Sequence, residues 1–182
     1  MATHPTDDAP GRLDLVRLFV NTLDFPDGPD ALGTLDAASA WCRSHGLPPV
    51  SNARELARLR DFRETLRELL FGNNGEGSAR SSWEALRPFA RVAQFAVALD
   101  PVQGPVLEPG GAGADRTIAT MLGIVHEAVA NGTWPRLRAC RRDTCKFAYY
   151  DRSKNGSRAW CSMTLCGNRE KAQRRRARDR AL

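Results

Sequence analysis

No stretch of this sequence approaches the ~20 consecutive apolar residues that span a bilayer. Its start, MATHPTDDAPG, has neither the basic opening nor the apolar run of a secretory signal. The expectation is a cytoplasmic protein with no membrane contact, whose cysteines are reduced and so more suited to metal than to disulfides. Also missing are an HExxH helix, a glycine-rich phosphate loop and any internal repeat. The three histidines, His4, His45 and His126, are scattered, and no serine or cysteine has an obvious local base. These absences argue against an enzyme.

What is present is unevenly distributed. The 182 residues suit one ordinary domain plus a small module. Residues 134–182 hold fifteen Lys and Arg against four Asp and Glu, a net +11, and residues 1–133 hold twelve against seventeen, a net −5. A mildly acidic body with a strongly basic end points the end at a polyanion.

The body, residues 12–132, reads as mainly helical. Residues 1–11 are polar and expected to be disordered. Leu13, Val16, Phe19, Val20 and Leu23 recur at helical spacing, and residues 30–45 predict a second helix around Trp41. A third begins at Asn52 with Glu55 three residues on, carries one stripe from Leu56 to Leu70, and stops at Gly72-Asn73. Arg63 lies at the edge of that stripe and is expected to snorkel to water. Ser82–Ala90 predicts a short helix, and 91–99 with 102–107 a small antiparallel hairpin across Asp100-Pro101. A fifth helix runs from Asp115 to Asn131-Gly132. Cys42, beside Trp41, reads as a small buried hydrophobe.

The other four cysteines, Cys140, Cys145, Cys161 and Cys166, form two C-x4-C pairs with fifteen residues between them. Two short loops giving two thiolates each are what a tetrahedral four-sulfur site needs, and Zn2+ is the favoured ion. An iron–sulfur cluster is the lesser alternative. Asn155-Gly156 between aromatic flanks predicts a hairpin with a type I′ turn that joins the pairs. After Cys166 the chain predicts a helix with basic residues all round. Arg152, Lys154, Arg158, Asn168, Arg169, Lys171, Arg174, Arg175, Arg176 and Arg178 are the candidate nucleic-acid contacts, with DNA favoured over RNA. Asn21, Asp24 and Arg63 are the candidate small-molecule site of the body, since a carboxylate–arginine pair can orient an anionic or amide ligand.

Cys166-Gly167-Asn168-Arg169 resembles the tetrapeptide of the CGNR zinc finger. So do Tyr150-Asp151-Arg152-Ser153, Asn155-Gly156, the run Arg158 to Met163, and Lys171. Phe19 to Asp24, the Trp41 helix and Phe62 to Arg67 are similar to the ABATE domain that precedes this finger in its family. The resemblance covers roughly residues 12–178. It implies a bacterial, stress-induced transcription regulator with a zinc-bound DNA-binding end at 134–182. It also implies a helical body that senses an effector or forms a homodimer. The fold class expected is mainly α, with a small β-hairpin element, a four-cysteine zinc-finger hairpin and a basic C-terminal helix.

Overall fold

The computed structural model describes residues 8–24, 28–75, 83–102 and 104–180, without the Arg174 side chain. Three helices form the body's centre: α1 (Leu13–Val20), α3 (Ala53–Gly72) and α5 (Gly113–Ala130). α2 (Leu35–Ser44) flanks α3, and α4 (Arg87–Ala90) packs on α5. Val16, Phe19, Leu59, Phe62, Leu66, Leu70, Ile118 and Met121 are fully buried. Each such side chain stabilises the fold by about 1.5–3 kcal/mol before its entropy cost. Phe62 links the layers, with its ring 5.9 Å from Phe19 and 5.0 Å from Phe89.

Local chemistry sets the helix ends. The Asn52 side chain accepts the Glu55 N–H, and the Glu55 carboxylate accepts the Ser51 N–H, a reciprocal cap. Pro88 lies in the first turn of α4, where its missing N–H leaves no bond unmade. The second helix begins five residues later than the periodicity predicts, at Leu35, with Thr34 as its cap. Asp30 to Gly33 form a turn instead, and Asp30 bridges Leu23 in an antiparallel pair. The cap at Thr34 overrides the weaker helical pattern upstream. Of the tail expected to be disordered, residues 1–7 lie outside the described residues. Ala9, by contrast, is buried and donates its N–H to Asp14.

The late start of α2 settles Arg63. It does not snorkel: it is 3% exposed and donates to both oxygens of Asp30, at 2.6 and 3.2 Å, to Thr22 and to Glu64. The Asp30 turn brings a carboxylate over the helix, so burial of the charge is compensated.

The body hairpin forms with shifted bounds: β1 (Phe95–Asp100) starts four residues later than expected and takes in Asp100, and it runs antiparallel to β2 (Gly104–Pro109), with Val97 opposite Leu107. A second pair, β3 (Leu137–Ala139) and β4 (Ala148–Tyr150), follows a 3-10 turn at Trp134–Arg136. Leu137, Ala139, Ala148 and Tyr150 join the body's hydrophobic core, whereas Tyr149 faces the cysteines. The C-terminal module therefore shares a strand pair with the body. A widened helical turn, Met163–Gly167, leads into α6 (Asn168–Asp179).

Candidate metal centre

The hairpin of the cysteine module is not the one the Asn155-Gly156 pair predicts. A type I′ turn needs positive φ at both central residues. Only Gly156 has it, at +57°. β4 pairs instead with β3, and the first cysteine pair forms the connection between them. The reason is Asp151, which is fully buried. Its carboxylate accepts the N–H groups of Ser153 (2.9 Å) and Arg158 (3.0 Å) and lies 3.4 Å from Arg138. The segment after β4 thus wraps round a carboxylate rather than continuing as a strand. Burial opposes the Asp151 charge, but these hydrogen bonds and Arg138 hold its carboxyl below the ordinary value.

Each cysteine pair is shaped by a tight turn. Arg142 C=O accepts the N–H groups of Cys145 and Lys146, and Cys140 N–H donates to Phe147 C=O. Lys146 is the non-glycine residue with positive φ, +51°, among those described. That conformation costs on the order of 1 kcal/mol, and the Arg67 guanidinium holds the Lys146 carbonyl in place at 2.9 Å. On the other side, Ser162 C=O accepts from both Cys166 and Gly167. The widened turn points Cys166 inward at the root of α6. Gly167 permits it, since a Cβ there would lie 2.6 Å from the Met163 sulfur and 3.5 Å from the Trp160 ring.

The result is four buried sulfurs, of Cys140, Cys145, Cys161 and Cys166, all within 4.8 Å of one another. Cys161 Sγ lies 3.6 Å from both Cys145 Sγ and Cys166 Sγ. Sulfurs at about 2.3 Å from a tetrahedral ion stand about 3.8 Å apart, so the donor set fits a four-thiolate ion. With no cation the sulfurs compete for protons. Hydrogen bonds from Cys145 and Cys161 push the Cys140 thiol far down, and those same bonds, aided by burial, push Cys145 and Cys161 up. A dication removes that competition by taking all the thiolates. Cys42 lies apart, its thiol pushed up to about 11 by burial, as expected of a small core residue.

Residues round the sulfurs are held in turn. Arg158 donates to the Trp160 and Cys161 carbonyls and stacks 4.9 Å over Tyr149, whose hydroxyl donates to Arg158 C=O at 2.6 Å. Arg158 is thus half-buried and turned inward. Arg152 is exposed, lies 5.6 Å over the Tyr150 ring and donates to Asp8 C=O, and Lys154 is exposed beside it. Asn168, Arg169, Lys171, Arg175, Arg176 and Arg178 are all exposed on α6, and Arg174 sits on the same helix. Arg169, Arg176 and Arg180 share one face, and with Arg142 they line a groove of about 520 Å³. Arg142 also lies 4.0 Å from Glu170. Sequence reading missed Arg142, because a residue inside a cysteine loop carries no helical periodicity.

Of the candidate ligand residues Asn21, Asp24 and Arg63, the side chains of Asn21 and Arg63 are engaged by the protein itself. The Asn21 amide exchanges two hydrogen bonds with the Ala148 backbone, at 2.8 and 2.7 Å, as a paired strand would. Arg63 is held by Asp30, and Asp24 C=O accepts the Gly28 N–H. Other links across the same seam were not legible. Arg67, 2% exposed, reaches Glu64, Val20 C=O and Lys146 C=O. Asn73 donates to Trp134 and Leu137 carbonyls, and Asn74 to Ala139. The Asn73-Asn74 pair looks like a simple helix stop, and only the tertiary fold gives its side chains their targets.

No curated protein matches the chain. Residues 136–179 match the family model of the CGNR zinc finger. Residues 13–137 match the model described as "Putative stress-induced transcription regulator", the ABATE family. That second match spans more than half of the chain, so the protein belongs to the ABATE family and carries a CGNR zinc finger at its C-terminal end.

Proposed function

We propose that this protein is a non-catalytic, zinc-dependent transcription regulator whose C-terminal end grips the DNA backbone. The observation that carries the reading is α6. It starts two residues after the fourth cysteine, runs about 18 Å at 1.5 Å per residue, and exposes arginine on opposite faces. One face, with Arg169, Arg176 and Arg180, meets Arg142 across the groove. The other carries Lys171 and Arg178. Arginines gathered round a groove suit phosphate oxygens, which supply most of non-specific nucleic-acid affinity. Zn2+ at the four thiolates fixes the helix root, so metal loss disorders the basic surface. We assign Asn21 and Arg63 to holding the body together and to the finger, rather than to an effector.

The test is fluorescence anisotropy of full-length, zinc-loaded protein with duplex DNA and with structured RNA, before and after chelation. The expected result is DNA binding that is lost on chelation and weakened at least tenfold by Arg169→Ala with Arg176→Ala. Binding that survives both changes overturns the proposal. Tighter binding to RNA than to DNA moves the same surface to an RNA partner.

A further inference from the structure

We infer that the β1–β2 hairpin and the adjoining flank of α5 form a twofold interface with a second copy of this chain. Of the ten exposed large apolar side chains among the described residues, Phe95, Val97, Leu99, Val102 and Leu107 belong to the hairpin and its turn, Val92 lies three residues before it, and Trp83 and Val129 line the neighbouring cavity on α5. Val97, Leu99 and Val102 are 70%, 81% and 93% exposed. The Phe95 ring at the hairpin's root approaches Gly123 of α5, and Pro105, Val106 and Leu107 of β2 also border that helix.

One cavity of about 300 Å³ lies between the hairpin and α5, bounded by Phe95, Leu107, Gly123 and His126. A second, about 400 Å³, lies on the next face of α5 between Trp83, Leu122, His126 and Val129. His126 borders both, so the two cavities adjoin along α5, from β2 to Trp83. By typical residue areas the eight side chains expose about 800 Å², the share each partner contributes to a standard specific interface. Monomeric proteins rarely leave a patch of that size open.

Three observations choose the occupant. An apolar surface offers nothing to nucleic acid. The residues 1–133 carry twelve basic against seventeen acidic side chains, which disfavours an anionic lipid surface. Finally, β1 and β2 make a two-stranded sheet on their own, and each has an outer edge without a strand partner among the described residues. A lone two-stranded hairpin is marginal. An antiparallel edge pairs with its own copy across a twofold axis, giving four strands and burying the same patch on both sides.

Sedimentation equilibrium of the full-length, zinc-loaded protein from 1 to 100 µM (concentrations about those needed for a micromolar dimer) tests this. The expected result is a species of twice the 20.0 kDa chain. Val97→Glu with Leu99→Glu should weaken the dimer at least 100-fold, with circular dichroism and zinc content unchanged. Val129→Glu, on the far side of His126, should weaken it at least tenfold and decides the matter if the double variant folds poorly. A monomer at the highest concentration overturns the inference, as does a dimer indifferent to these variants. So does a monomer that instead partitions onto zwitterionic vesicles.

Discussion

The two ends of this molecule use the same residue in opposite ways. In the body, Arg17, Arg63 and Arg67 are 5% exposed or less, and each is fixed by carboxylates or backbone carbonyls. At the C-terminal end, Arg169, Arg175, Arg176 and Arg178 stand in water on a helix with no apolar stripe. A buried arginine contributes geometry and is costly to remove. An exposed one contributes long-range attraction and little stability. The contrast teaches that net charge finds the exposed basic end, while burial finds the arginines that hold the fold.

The comparison breaks first at the metal. Cys161→Ser removes a sulfur 3.6 Å from two others. Zinc content should fall from one per chain to near zero, and thermal unfolding of the whole chain should shift down, because β4 belongs to the body core. A body that melts unchanged would mean the finger folds separately.

Next comes Arg67→Ala, which strands the Val20 and Lys146 carbonyls and leaves Glu64 to Arg63. A loss of about 3–5 kcal/mol in urea unfolding is expected. Arg67→Lys should recover only part of it, because one ammonium cannot replace the planar fork.

Asp151→Asn should cost about 2 kcal/mol at neutral pH, since the amide accepts less well and Arg138 loses its counter-charge. The sign of the pH effect follows from the lowered carboxyl. Its contribution is present above the unfolded value of about 3.9 and is lost as the pH falls through the lower folded one. The gap between wild type and variant should therefore close on acidification. A gap that widens would place the carboxyl above its ordinary range.

The smallest stability effect belongs to Arg178→Ala. Unfolding should change by under about 0.5 kcal/mol, while the salt slope of DNA binding becomes shallower by about 0.9.

The four-cysteine site was legible because C-x4-C repeated twice is a local pattern, and the third helix because its stripe and cap lie within one window. The seam between body and finger was not. Asn21 and Ala148 are 127 residues apart, and no periodicity links them. Arg63 was misjudged because its partner, Asp30, read as helical until Thr34 set the true start of α2. The Asn155-Gly156 turn was a sound local signal that lost to Asp151, a buried carboxylate whose two N–H partners exist only in the fold.

The central claim is that the exposed arginines of the finger, and not those of the body, make a phosphate-binding surface. It is tested most directly by the salt dependence of duplex-DNA affinity for the full-length, zinc-loaded chain. Four to six phosphate contacts predict a log–log slope of about −4 to −5, reduced by about 2 in Arg169→Ala with Arg176→Ala at unchanged thermal stability. A flat slope, or a slope untouched by that pair, would contradict it.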